Sequence, residues 1–149
     1  MATILIIEGD RPLRTVIDAA LRRAGHTALA AENGIDATAL LGPKGKLDLV
    51  ITDLFMPEMD GFEVMKAIRT HDPAVRIMVI SGGGRPPYPD FLQLATQLGA
   101  DAALAKPFTA ERLIETVDKI LARPASTGDD AAPARRTALP PSTTTGSRR

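Results

Sequence analysis

The chain has 149 residues, 44% of them hydrophobic, and a formal net charge of zero, which suits one globular domain with a core of its own. The absence of cysteine excludes thiol catalysis, disulfides and Cys-ligated zinc, and is compatible with a reducing compartment. Balanced charge and few aromatic residues argue against a dedicated nucleic-acid surface. No apolar run approaches the roughly 20 residues that span a bilayer, and no secretory signal is recognisable, so we expect a cytoplasmic protein.

Strand-like and helix-like segments alternate along residues 3–122. Short apolar runs rich in β-branched residues predict strands, and apolar residues at helical spacing predict helices. In chain order the predictions are strand 3–7, helix 12–24, strand 27–31, helix 35–41, strand 47–52, helix 62–69, strand 76–80, helix 90–99, strand 102–105 and helix 110–122. Five strands that alternate with five helices predict a doubly wound α/β domain with a mostly parallel sheet.

The first predicted helix has a well-defined apolar face. Residues three and four positions apart lie on the same side of a helix, and here this side is formed by Leu13, Val16, Ile17, Ala20, Leu21 and Ala24. We therefore expect this face to cover the sheet.

The composition changes after Arg123. Residues 124–149 are rich in Pro, Ser, Thr, Ala and Gly and have no hydrophobic periodicity. We therefore predict a folded domain at 1–123 and a disordered C-terminal tail at 124–149. The basic pairs 135–136 and 148–149 are compatible with an acidic partner, but a solvated linker is the better interpretation.

Polar residues follow four of the predicted strands. Strand 3–7 is followed by Glu8, Gly9 and Asp10, and the next polar strand endings along the chain are Asp53, Ser81 and Lys106. Ligands of open α/β sheets bind at the carboxyl ends of the strands. Each residue has a simple structural explanation by itself, such as helix capping by Asp10, but four such endings on one edge favour a functional site.

This set of side chains suits phosphoryl transfer to a carboxylate. Asp53 can act as a nucleophile and form an aspartyl phosphate. Lys106 and Ser81 can supply a cation and a hydroxyl to the oxygens of the transferred group. Mg²⁺ is the usual further requirement, held by one or two carboxylates, water and the phosphate. The acids after the first strand are the natural source of these carboxylates.

Three motifs bring out a family resemblance. "DLFMPEMDGFEVM" from Asp53, "SGG" from Ser81 and "LAKPF" around Lys106 closely resemble the receiver domain of two-component response regulators. The resemblance covers residues 3 to about 122 and implies a flavodoxin-like (βα)5 sheet with strand order 2-1-3-4-5. It implies that Asp53 is the phosphoacceptor, Ser81 the switch hydroxyl and Lys106 the cation that pairs with the phosphoryl group. The bond before Pro107 is often cis in this family.

The same resemblance implies a Mg²⁺ site made by Glu8, Asp10, Asp53 and the backbone carbonyl of Phe55. Receivers normally have two adjacent acids after the first strand, and the second is the direct metal ligand. In this chain Gly9 stands at the second position. A second departure is Ala103, where many receivers carry a Tyr or Phe that rotates with the switch hydroxyl.

Two hypotheses about function stay open on the sequence. In the first, Glu8 reaches the metal directly, Asp10 helps through water, and phosphorylation of Asp53 changes the surface formed by the last strand and the last two helices. In the second, the missing ligand weakens Mg²⁺ binding and the domain is a pseudo-receiver that binds a protein partner without phosphorylation. Asp53, Ser81 and Lys106 favour the first hypothesis.

We expect the partners to be proteins. No output domain follows the receiver segment, so we expect no direct contact with DNA and no membrane association, in a monomer or weak dimer. A histidine kinase or phosphotransfer protein would act upstream and a separate protein target downstream, and no enzymatic activity is expected beyond self-phosphorylation and autodephosphorylation.

A phosphate-binding loop at "SGGGRPP" fits neither known glycine-rich spacing. His26 and His71 are interpreted as surface residues.

Overall fold

The structure, a computed structural model, describes residues 1–54, 61–81, 95–97 and 99–123. Its strands are β1 (Thr3–Ile7), β2 (Thr27–Ala31), β3 (Leu49–Asp53), β4 (Arg76–Ser81) and β5 (Ala102–Ala105). Its helices are α1 (Arg11–Arg23), α2 (Gly34–Thr38), α3 (Gly61–His71) and α4 (Ala110–Ala122). Residues 95–97 are also helical and belong to the predicted helix 90–99, of which 90–94 and 98 lie outside the described residues. The tail at 124–149 lies outside them too.

The five strands form one parallel sheet in the order β2-β1-β3-β4-β5. The prediction of a doubly wound α/β domain with this strand order is therefore confirmed. Strands β1, β3 and β4 are almost entirely buried along their length, because helices cover both faces of the sheet. This is why their sequences are continuous apolar runs rather than alternating ones.

Each face of the sheet has its own apolar cluster. On one face, side chains of β1, β3 and β4 pack against α3 through Val64, Met65 and Ile68. On the other face, the alternate side chains of the same strands pack against α1 through Ile17 and Leu21. They also pack against α4 through Leu113, Val117 and Ile120. The site edge is thus supported from both sides.

The apolar face of α1 is narrower than the sequence predicts. Ile17, Ala20 and Leu21 are buried, but Val16 is 55% exposed and Ala24 is exposed as well. The helix contacts the sheet with one side only, and Val16 and Ala24 lie outside that side. Within the described residues, no helix has both the length and the apolar character needed to cross a membrane.

Candidate functional site

The sheet register brings the predicted site residues to one edge. Ile7 pairs with Thr52, so the next residues, Glu8 and Asp53, continue side by side. Asp53 in turn pairs with Ile80, and Ser81 pairs with Ala105, which places Lys106 just past Ser81. Polar residues that are far apart in the sequence therefore lie together at one edge, because each follows a strand of a parallel sheet.

Burial sets this edge apart from the rest of the described chain. The buried polar side chains among the described residues are Glu8, Thr52, Asp53 and Ser81. All of them lie at the carboxyl ends of β1, β3 and β4. Two carboxylates in such a position cost free energy unless a cation or a set of hydrogen bonds compensates them.

Lys106 supplies that cation. Its Nζ donates a hydrogen bond to Asp53 Oδ2 at 2.9 Å and lies 3.1 Å from Glu8 Oε1. The backbone N–H of Lys106 donates to the Ser81 carbonyl at 2.9 Å, and the Lys106–Pro107 peptide bond is cis. One ammonium group therefore bridges the acids of two different strands.

The two oxygens of Glu8 have different surroundings. Oε2 accepts a hydrogen bond from the Asp10 backbone N–H at 2.9 Å. Oε1 is buried and has no hydrogen bond within the described structure, because the 3.1 Å contact with Lys106 Nζ is an ion pair without hydrogen-bond geometry. Burial raises the pKa of Glu8; the Asp10 N–H opposes that increase and the negative charge of Asp53 adds to it.

The environment keeps Lys106 protonated. Burial by itself lowers the pKa of Lys106, but the hydrogen bond and negative charge of Asp53, followed by the ion pair with Glu8, outweigh it and raise the pKa overall. A positive charge is thus held 2.9 Å from the Asp53 carboxylate. This is the position in which it can neutralise charge that develops on a group bound to that carboxylate.

The residues at this edge fit a divalent cation with an incomplete protein shell. The buried Glu8 Oε1 lacks a hydrogen bond, and a carboxylate oxygen is the kind of ligand that Mg²⁺ prefers. Asp10 is exposed, and although it stands at the N-cap of α1, its side chain makes no capping hydrogen bond. In the part of the chain that the structure describes, no three acidic or histidine side chains form a metal-binding cluster, so water and backbone carbonyls would complete the shell. Phe55 lies outside the described residues.

Gly9 is not required by the backbone. A Cβ atom built at this position would come no closer to another residue than 3.6 Å, from the Glu32 carbonyl oxygen, and its φ is not in the left-handed region. A side chain would therefore fit at Gly9. The glycine leaves an open space at the exposed rim of the site, next to Glu8.

One contact of the site was not predicted from the sequence. Arg14, in the first turn of α1, donates from Nη1 to the Glu8 carbonyl at 2.8 Å and so ties the loop after β1 to the helix. In the sequence, only the position of Arg14 four residues after Asp10 pointed to this hydrogen bond. The two histidines lie elsewhere: His26 Nδ1 accepts from the Ala2 backbone N–H at 3.1 Å, and the His71 ring contacts the Gly42 carbonyl.

Comparison with known proteins agrees with this geometry. The sequence model of the response regulator receiver domain matches residues 4–118. The chain belongs to this family. The receiver is 30% identical over 118 residues to sporulation initiation phosphotransferase F of Bacillus subtilis, covering 79% of this chain and 92% of that protein. It is 32% identical over 126 residues to the response regulator receiver protein CpdR of Brucella abortus, covering 81% and 98%.

A solved structure shows the same architecture. The chemotaxis protein CheY4 of Vibrio cholerae superimposes with a TM-score of 0.71 at 30% identity, and the match covers 80% of this receiver and 98% of that chain. Several other curated relatives are longer, and the receiver spans between 12% and 56% of their length. Receiver domains are generally signalling modules rather than enzymes.

Proposed function

We propose that this receiver accepts a phosphoryl group on Asp53 and passes the signal on through protein–protein contacts. The observation that carries the proposal is the position of Lys106 Nζ, 2.9 Å from the buried Asp53 carboxylate at the carboxyl edge of the sheet. An Asp53 oxygen would attack phosphorus in line, the bond from phosphorus to the leaving group would break, and the leaving group would take the bonding electrons. Lys106 and the Ser81 hydroxyl would then contact the new phosphoryl oxygens.

The phosphoryl donor is a histidine kinase or a phosphotransfer protein. The name of the Bacillus subtilis relative, a phosphotransferase, supports a place for this receiver in such a transfer chain. We place the protein in the cytoplasm, where it would contact a separate protein target. Because a phosphoryl group adds about 1.5 to 2 negative charges, its arrival beside Glu8 would alter the contacts of Lys106 and Ser81.

Mg²⁺ is the cofactor that this reaction calls for. When bound, it would supply positive charge to the transferred group. Glu8, Asp10, Asp53 and the Phe55 carbonyl are the groups of this chain that would hold it. The buried Glu8 Oε1, which has an ion pair with Lys106 but no hydrogen bond, supports a direct role for Glu8, whereas Asp10, which is exposed, would act through water.

Phosphopeptide mapping tests the proposal. Wild-type protein treated with a small acyl phosphate and Mg²⁺ should carry one phosphoryl group, located on Asp53 and released by hydroxylamine. Asp53→Asn should carry none, and Asp18→Asn, which changes a half-buried aspartate of α1 that pairs with Arg22, should behave as wild type.

A pseudo-receiver is the second candidate, and Gly9 is the observation that favours it. If the wild type remains unmodified at millimolar Mg²⁺ while Gly9→Asp becomes phosphorylated on Asp53, the natural chain is a pseudo-receiver that has lost its metal ligand. Phosphorylation at a residue other than Asp53 would contradict both hypotheses.

A further inference from the structure

An open groove of about 600 Å³ lies between α1 and α4, away from the Asp53 edge. Its apolar part is formed by Ala20 of α1, Ala24 directly after α1 and Ile114 of α4. Val16 lies one turn before Ala20 on the same side of α1 and is 55% exposed. Part of the apolar face of α1 that the sequence predicted to cover the sheet is therefore exposed on the same side of α1 as this groove.

The rim of the groove is mainly acidic. Glu111, Glu115 and Asp118 of α4 line it together with one basic residue, Arg23 of α1. Glu115 has a loose ion pair with Arg112 at 3.6 Å, with both side chains more than half exposed. Among the described residues, neither Glu111 nor Asp118 has an ion-pair partner. The groove thus combines an apolar floor with surplus negative charge, which suits a basic segment carrying an apolar side chain.

We propose that residues 135–139 of this chain's own C-terminal tail dock in the groove between α1 and α4. The segment reads Arg-Arg-Thr-Ala-Leu. Arg135 and Arg136 match the acidic rim, and Leu139 matches the apolar floor. Leu139 is the only large aliphatic side chain between residues 124 and 149, so the tail offers a single apolar anchor. This proposal does not depend on phosphorylation of Asp53.

The tail is long enough to reach the groove. It follows Arg123, at the end of the helix that lines the groove, so it must run back along α4 toward Ile114. A helix rises about 1.5 Å per residue, which makes that return roughly 14 Å. The chain between Arg123 and Arg135 spans at most about 40 Å when extended. Docking therefore needs no change in the folded domain.

The net charge of the tail changes along its length. Asp129 and Asp130 are its acids, and after them come four arginines and no further acid. The pair 135–136 stands beside Leu139, whereas the pair 148–149 has only small and polar neighbours. A docking segment with both charge and an apolar anchor is therefore confined to 135–139, and the second arginine pair is a matched internal control.

Paramagnetic relaxation enhancement provides the test, because the natural chain has no cysteine. A nitroxide attached to Ser142→Cys should broaden the amide signals of Ala20, Ala24 and Ile114 in the full-length protein. Arg135→Gln with Arg136→Gln should restore those signals, and Leu139→Ser should restore them in part. Arg148→Gln with Arg149→Gln should leave the broadening at or above half its original size. Raising the salt from about 0.1 M to about 1 M, which shortens the Debye length from about 10 Å to about 3 Å, should weaken it.

Several outcomes would overturn the proposal. Broadening that is absent, or that falls equally on α3 and on the groove, would show that the tail has no site there. An equal effect of the two arginine pairs would mean non-specific attraction to the acidic domain surface. Broadening from labelled to unlabelled, isotope-enriched molecules would assign the groove to a second copy of the chain rather than to its own tail.

Discussion

The two ends of the sheet both contain acids beside cations, but they are built differently. At the amino-terminal end, Asp101 Oδ2 accepts from the Ile77 backbone N–H at 2.8 Å and from Arg69 Nη2 at 3.1 Å. Arg69 also donates to the Gly99 carbonyl at 2.8 Å and to the Pro73 carbonyl at 3.2 Å. At the carboxyl end, Glu8 Oε1 is buried without a hydrogen bond, and one ammonium serves two carboxylates.

This difference separates a structural network from a chemical one. The Arg69 guanidinium is planar, and its donors match several fixed carbonyls at once, so it ties the end of α3 to the strands. The Lys106 ammonium is a compact charge on a flexible stem, and it leaves an acceptor at Glu8 with capacity to spare. The first arrangement is complete without a ligand, and the second gains from one.

The largest expected effect comes from removing the structural network. Arg69→Leu should lower the free energy of unfolding by about 2 kcal/mol, because the Asp101 carboxylate loses one of its two donors and several carbonyls lose the guanidinium. Urea denaturation measures this change. Arg112→Leu, which removes only the exposed pair with Glu115, should cost less than about 0.5 kcal/mol. Equal losses in the two variants would contradict the structural role of Arg69.

A substitution at the carboxyl end of the sheet is expected to change the free energy of unfolding in the opposite direction. Glu8→Gln should raise the free energy of unfolding by about 1 kcal/mol at neutral pH without metal, because it removes a buried charge. Glu32→Gln, in the exposed loop after β2, should change it by less than about 0.5 kcal/mol. Destabilisation by Glu8→Gln would show that the ion pair with Lys106 outweighs the cost of burial.

The pH dependence of this effect follows from the raised pKa of Glu8. The folded protein holds a proton at Glu8 up to a higher pH than the unfolded chain does, so this group favours folding less as pH rises above its ordinary value of 4.5. The stability advantage of Glu8→Gln should therefore grow between about pH 4 and about pH 7. Denaturation curves of both proteins across this range measure it, and a constant difference would contradict the assignment.

The smallest expected effect concerns Gly9. A side chain fits there, since a Cβ atom would be 3.6 Å from the Glu32 carbonyl oxygen. Gly9→Asp should tighten Mg²⁺ binding about fivefold by adding a ligand, whereas Gly9→Asn should have a smaller effect. Isothermal titration calorimetry distinguishes the two. Unchanged affinity in Gly9→Asp would mean that Glu8 and Asp10 already complete the site.

Much of this arrangement was predictable from the sequence. The strands 27–31 and 102–105 and the helix 110–122 have the predicted bounds, because apolar runs and helical spacing are local signals. The convergence of Glu8, Asp53, Ser81 and Lys106 followed from their places at strand ends. The roles of these residues and of Asp10 and Phe55, and the boundary of the domain at 123, stay predictions.

Other features depend on tertiary contacts that no local pattern encodes. The exposure of Val16 depends on how α1 lies on the sheet, and a helical repeat cannot show which part of an apolar face the sheet covers. The hydrogen bond from Arg14 to the Glu8 carbonyl depends on the path of the loop after β1. The network of Arg69 joins residues about 30 positions apart, and its sequence gives no sign of their proximity.

The most direct test of the contrast between the two ends is a Mg²⁺ titration followed by NMR. Saturable shifts are expected at residues 8, 53 and 106, with no change at Arg69 or Asp101, and these shifts should be lost in Glu8→Gln. Saturable shifts that persist unchanged in Glu8→Gln, or no shifts in the wild type at tens of millimolar Mg²⁺, would contradict the claim that the buried, incompletely bonded carboxylate of Glu8 makes this edge a cation site.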